Sequence, residues 1–180
     1  MCLLEKMCAS SSVGFTFQII KFCLPQRNEF RSYRLLLQLL LMRNILILGA
    51  GKSSGALIDH LVDRSVEEQW QVTVADISAA QAMQKTRQRA NTCAIAFDFQ
   101  DESGRRRLIA DADIVISMLP ATMHVIIAED CLKLKRNLVT PSYISDAMLG
   151  MDEDVKKEGL IFMNEIGLDP GIDHMSALQA

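Results

Sequence analysis

Ile45-Leu46-Ile47-Leu48-Gly49-Ala50-Gly51-Lys52-Ser53-Ser54-Gly55 is the stretch on which the fold turns. Four consecutive aliphatic residues suit a strand buried on both faces. The glycines that follow let the chain turn tightly and bring its backbone close to a pyrophosphate. The N–H groups opening the next helix then face the phosphates, at the end where the helix dipole favours an anion. The spacing is GxGxxxG, with Ser54 at the usual third position and Gly55 one residue later. Gly51-Lys52-Ser53 also mimics the end of a triphosphatase loop, but that motif needs a glycine five residues before Gly51, where Leu46 stands.

Outward from this turn, short apolar runs alternate with helical stretches. The runs are Asn44–Leu48, Gln71–Ala75, Thr92–Phe97, Ile114–Ser117, Asn137–Thr140 and Leu160–Met163. The helical stretches are Ser53–Arg64, Ser78–Arg89, Ser103–Ala110, Met123–Lys135 and Ser145–Glu158, the first with an apolar stripe of Leu57, Ile58, Leu61 and Val62. Parallel neighbours need right-handed crossovers, so this order predicts an α/β fold: a doubly wound, six-stranded parallel sheet of the Rossmann type.

The 180 residues suffice for about one domain. With 49% hydrophobic and 23% charged residues the chain reads as globular, and its net charge of −3 offers no basic field for nucleic acid or a membrane surface. The charge is uneven. Residues 1–41 carry Lys6, Lys21, Arg27, Arg31 and Arg34 against Glu5 and Glu29, which is +3 and leaves −6 for the rest. Met42-Arg43-Asn44 directly precedes the first strand like a natural start, so residues 1–41 read as an unmatched extension from a misplaced start, and 42–180 as the domain. A few acids among several arginines also suit a mitochondrial transit peptide, and Leu35–Leu41 suits a short helix over a sheet edge. The five cysteines, at 2, 8, 23, 93 and 131, form no CxxC pair and have no histidine at ligand spacing, so neither a disulfide framework nor a metal site is expected. Cys93 and Cys131 read as small core residues in a reduced, cytoplasmic protein.

Asp76 ends the second run twenty-seven residues after Gly49, where an acid accepts hydrogen bonds from the adenosine ribose and repels a 2′-phosphate, which favours NAD over NADP. It reads alternatively as a helix-start acid, with Ser78 as the cap. Asp98, after the third run, reads as an adenine-edge ligand or a solvated loop acid. Ser117-Met118-Leu119-Pro120 falls at the sheet edge where nicotinamide belongs. His124, just beyond, reads as a cap or surface residue of the next helix, and Arg105-Arg106-Arg107 as a solvated face. In Asn164–Met175, Asp169 suits an N-cap and Pro170 the first position of a new helix. Its acids and His174 have the chemistry to orient a polar substrate or move a proton.

Three blocks together resemble the saccharopine dehydrogenase family, specifically its glutamate-forming saccharopine reductases: the Gly49–Gly55 turn; Ser117–Pro120 with His124 and Val139-Thr140-Pro141-Ser142-Tyr143; and Asn164–Met175. The resemblance implies pyridine-nucleotide-linked hydride transfer at a secondary amine or imine, joining glutamate and aminoadipate semialdehyde in saccharopine. It implies that Gly49, Gly51, Lys52, Ser53, Ser54, Asp76 and Asp98 bind NAD or NADP, with Ser117, Met118 and Leu119 beside the nicotinamide. Pro120, Ala121 and Tyr143 would meet an amino-acid substrate, and Asp173 and His174 would serve the chemistry. Two positions depart from the pattern: Ala121 stands where relatives carry an aromatic residue, and Asp146 where they carry proline. A relative acting on a polyamine-derived imine is therefore the enzymatic alternative. In the family a substrate domain follows the Asn164–Met175 block, so a chain ending at Ala180 is expected to lack it. The non-catalytic alternative is a nucleotide-binding fragment that pairs into a homodimer through its uncovered surface.

Overall fold

A computed structural model describes residues 42–179. The expected helix at Leu35–Leu41 and three of the cysteines lie outside them. The strands are β1 (Arg43–Leu48), β2 (Trp70–Asp76), β3 (Thr92–Ala96), β4 (Ile114–Ser117), β5 (Asn137–Val139) and β6 (Phe162–Met163). The helices are α1 (Gly55–Arg64), α2 (Ala79–Thr86), α3 (Glu102–Ala110), α4 (His124–Leu134), α5 (Asp146–Leu149), α6 (Asp152–Lys157) and α7 (Ile172–Ala177), with 3-10 turns at Lys52–Ser54 and Ala121–Met123.

Successive side chains of a strand point to opposite faces, and β1 uses both. Ile45 and Ile47 pack with Ile58, Leu61 and Val62 of α1 and Ala82 of α2. Leu46 and Leu48 pack with Ile109 of α3, Ile127, Ala128 and Cys131 of α4 and Met148 of α5. Each fully buried aliphatic side chain contributes about 1.5–3 kcal/mol, and helices are needed on both faces to collect it. All pairings are parallel and the strand order is β3-β2-β1-β4-β5-β6, the doubly wound arrangement expected. Sequence order reverses between β1 and β4, where Leu48 pairs with Ser117 at the C-terminal edge. Ligands of open α/β sheets bind in that crevice. No helix among the described residues is long and apolar enough to cross a membrane.

Several local expectations are corrected. The stretch Ser145–Glu158 is two short helices rather than one, because the chain turns at Gly150 after α5, capped by Ser145, before α6 begins. Arg105 is buried instead of solvated. It lies on the inward stripe of α3 with Ile109, its Nε donates to Asp130 of α4 at 2.6 Å, and its Nη1 donates to the Phe99 carbonyl at 2.7 Å. Arg106 donates to the other Asp130 oxygen at 2.9 Å. Burial alone would raise the Asp130 carboxyl, but the hydrogen bonds from Arg106 and Arg105 outweigh it and hold the group below its ordinary value. Cys93 is exposed on β3 rather than in the core, whereas Cys131 is buried and desolvation pushes its thiol up to about 12. Asp169 and Pro170 do not open α7. Gly171 precedes its first residue, and the Asp169 carboxylate is taken by the Tyr143 hydroxyl.

Candidate functional site

The glycine turn leaves β1 in a shape that a side chain would prevent. Gly49 has φ +102°, and a Cβ there would lie 2.9 Å from the Met118 carbonyl oxygen. The Met118 N–H donates to the Leu48 carbonyl at 2.8 Å, so the turn after β1 and the loop after β4 touch backbone to backbone. At Gly51 a Cβ would meet nothing within 4 Å, and Gly51, Lys52 and Ser53 are exposed. N–H groups at a helix start have no intrahelical acceptor. An exposed turn with an open face over such groups fits the phosphates of a dinucleotide.

Asp76 stands at the end of β2, beside this turn. One carboxylate oxygen accepts the Ala50 N–H at 2.6 Å and the other the Ser78 N–H at 2.8 Å. It therefore ties the turn to β2 and also serves the entry to α2, where Ser78 caps by accepting from the Gln81 N–H at 3.3 Å. Asp98 is exposed and accepts the Gln100 N–H at 2.9 Å. Ser54 is buried, its hydroxyl donating to the Gly51 carbonyl at 2.9 Å.

Across the switch point, His124 is buried rather than a surface or capping residue. Its Nδ1 lies 2.9 Å from the Ser117 hydroxyl and its Nε2 2.9 Å from that of Ser142. Burial lowers its pKa and favours the neutral ring, which pairs with one hydroxyl as donor and the other as acceptor. The end of β4 is thereby pinned to the loop after β5. Met118 and Leu119 are half-buried, while Pro120 and Ala121 are exposed on the rim.

The loop after β5 is laced to the segment after β6. The Thr140 carbonyl accepts the Ile166 N–H at 3.3 Å, the Ser142 carbonyl accepts the Glu165 N–H at 3.1 Å, and the Thr140 hydroxyl donates to Asn164 Oδ1 at 3.1 Å. Tyr143 is exposed, and its hydroxyl donates to Asp169 Oδ1 at 2.6 Å. That hydrogen bond to a carboxylate holds the phenol above its ordinary value. The His174 ring lies edge-on to Tyr143 at 6.4 Å between centroids. Asp173 accepts the Gly171 N–H at 2.9 Å through Oδ1, and its Oδ2 lies 3.6 Å from His174 Nε2. Tyr143, Asp173 and His174, singled out in sequence, thus share one surface.

Sequence reasoning missed Asp169 as the partner of Tyr143, Ser142 as the second partner of His124, and Lys85, which reaches the glycine turn from α2. The repeat of His124 with Ile127, Ala128 and Cys131 at helical spacing was the available signal for a buried histidine. Nothing local marked the other three.

Residues 45–163 match the family model described as the saccharopine dehydrogenase NADP binding domain. The chain belongs to the saccharopine dehydrogenase family. A glutamate-forming, NADP(+) saccharopine dehydrogenase of Saccharomyces cerevisiae is 38% identical over 139 residues, covering 76% of this chain and 30% of that protein. An alpha-aminoadipic semialdehyde synthase of Arabidopsis thaliana is 32% identical over 152 residues, 75% of this chain and 14% of the relative. The apo structure of the yeast glutamate-forming enzyme superposes with a TM-score of 0.68 at 36% identity, again over 76% of this chain and 30% of that one. GenD2 from gentamicin A biosynthesis in complex with NAD, at 16% identity and a TM-score of 0.52, shares the fold alone. The chain thus spans about 30% of the length of the yeast saccharopine dehydrogenase it matches.

Proposed function

We propose that this chain is the nucleotide-binding part of a saccharopine-dehydrogenase-type oxidoreductase, which interconverts saccharopine with glutamate and aminoadipate semialdehyde. The observation that carries the reading is the backbone contact between the glycine turn and the Met118 loop, whose strand end His124 joins through Ser117 and Ser142 to the loop that bears Tyr143. Bound NAD(P) would supply or accept the hydride. Gly49, Gly51, Lys52, Ser53 and Ser54 form the phosphate turn, and Ser117, Met118 and Leu119 flank the nicotinamide side. The Ser117 hydroxyl is committed to His124, so this residue acts through the position of the strand end. Pro120, Ala121 and Tyr143 line the approach of an amino-acid substrate. Asp173 and His174 hold or move the proton that the amine nitrogen gains or loses.

NAD is the cofactor we assign, although the family description and the yeast relative carry NADP in their names. In this chain a carboxylate ends β2, and the residues after it, Ile77 and Ser78, bring no positive charge. A 2′-phosphate beside Asp76 would meet a like charge, whereas ribose hydroxyls can donate to it. Asp98 stands farther along the same edge, on the adenine side.

Calorimetric titration of the full chain with NADH and NADPH tests both statements. NADH is expected to bind more tightly, and Asp76→Ala to narrow the ratio; an unchanged ratio would reduce Asp76 to a structural acid. Repeating the NADH titration with saccharopine present tests where the substrate site lies: unchanged NADH binding is the result expected of a nucleotide-binding part, and tighter binding would put most of the substrate site in this chain.

A further inference from the structure

Lys85 belongs to the last turn of α2, yet its ammonium reaches the turn after β1. It donates to the Gly51 carbonyl, 34 positions earlier in the chain, and lies 3.3 Å from the Ser54 hydroxyl. The Ser54 hydroxyl spends its one hydrogen on the same Gly51 carbonyl at 2.9 Å, so its lone pairs are available to Lys85. Gly51 O, Ser54 Oγ and Lys85 Nζ therefore close a ring of three hydrogen bonds on one side of the turn.

The peptide plane translates this ring into an effect on the other side. In a trans peptide the C=O and the following N–H point in opposite directions. The Gly51 carbonyl also accepts the Ser54 N–H of the 3-10 turn at 3.3 Å, and with Lys85 reinforcing that direction the Lys52 N–H points the opposite way. The ring also leaves a positive charge one hydrogen bond from the backbone that would receive two phosphate charges. The position of the third glycine fits this arrangement. A Cβ on Gly55 would lie 3.6 Å from Lys85 Nζ, in ordinary van der Waals contact with it.

We infer that Lys85 is a positioning residue for dinucleotide phosphate: it sets the direction of the Lys52 N–H through the Gly51 carbonyl and adds charge, without itself having to contact the ligand. This rests on the reading of the glycine turn as a phosphate site. It separates Lys85 from a residue that merely fastens α2 to the turn, because a fastener would affect all parts of the nucleotide alike.

The test uses the full chain as wild type, Lys85→Met, Lys85→Arg and Ser54→Ala, titrated calorimetrically with NADH, ADP and adenosine. Lys85→Met is expected to weaken NADH and ADP by about tenfold or more, the range for losing a hydrogen bond to a charged group, while adenosine binding stays within about twofold. Lys85→Arg is expected to recover most of the loss, and Ser54→Ala to lose less than Lys85→Met. Lys85→Met binding NADH as wild type does, or losing adenosine as strongly as NADH, would overturn the inference while leaving the phosphate site in place. Wild type binding neither NADH nor ADP would instead overturn the site and the inference together. If Lys85→Met does not fold, the Lys52 amide signal in the Lys85→Arg and Ser54→Ala proteins decides: it should shift in Ser54→Ala and move less in Lys85→Arg, and no shift in either would overturn the inference.

Discussion

Replacing His124 by Phe keeps a planar ring in the space between β4 and the loop after β5 but removes both nitrogens. Two hydrogen bonds of 2.9 Å are lost, and the Ser117 hydroxyl, fully buried, is left without its partner. A neutral hydrogen bond contributes about 1 kcal/mol net, and an orphaned buried hydroxyl costs about 1–3 kcal/mol, so the substitution should destabilise the domain by about 2–4 kcal/mol. Ser117→Ala in the same chain removes the orphan. The double variant should therefore regain about 1 kcal/mol or more relative to the sum of the single variants. The pH dependence sharpens the test. Burial lowers the His124 pKa from 6.5 in the folded state, so above that value neither state carries the proton and stability is full. As pH falls from 6.5 toward the folded pKa, the unfolded chain takes up a proton that the folded chain resists, and this contribution is lost. Urea unfolding at pH 8 and at pH 5.5 should thus show a gap between wild type and His124→Phe that shrinks on acidification. A gap that is constant or widens, or a double variant that is strictly additive, would refute the account of a neutral imidazole held between two hydroxyls.

Asp130→Leu leaves the Arg105 guanidinium buried without its carboxylate and should cost about 3–5 kcal/mol in urea unfolding, while Arg105→Met with Asp130→Leu should recover most of it. Because the folded Asp130 carboxyl is held below 3.8, its stabilisation is present above that pH and is lost as pH falls through the folded value; wild type and Asp130→Asn should converge there. Gly49→Ala places a methyl 2.9 Å from the Met118 carbonyl at φ +102°, and should lower the melting temperature and weaken NADH binding together, as read by thermal shift and calorimetry. With its thiol raised to about 12, Cys131 should resist maleimide at pH 8 in the native state and label only on unfolding, as site-resolved mass spectrometry would report.

The fold was legible because its determinants are local in sequence. Ile45 to Leu48 need both faces covered, Gly49 and Gly51 mark the turn, and alternating runs and stripes leave few topologies once crossovers are right-handed. Element ends were legible where a cap sits beside them, as Ser78 does before α2. What stayed hidden depends on residues far apart in sequence. Arg105 looks like its two neighbours until Asp130, 25 positions away, turns up beneath it. Asp169 looks like a cap until the loop after β5 brings the Tyr143 hydroxyl to it. The site was read as a set of residues; how Asp76, His124 and Lys85 hold its loops together required the packed structure.

Asp76 carries two duties on one carboxylate, and this restricts how such a domain can exchange one cofactor for the other. A substitution that admitted a 2′-phosphate by removing the charge would also release the Ala50 N–H and the Ser78 N–H from their acceptor. If the turn holds the phosphates as proposed, the first step toward a new specificity would loosen it, so affinity would fall before preference could be gained. A successful route needs a second change, elsewhere in the turn, that restores an acceptor to Ala50. On the proposed reading of Asp76, cofactor choice would therefore be a property of at least two positions acting together, and engineering or descent that altered Asp76 alone would stall at a weak binder of both nucleotides.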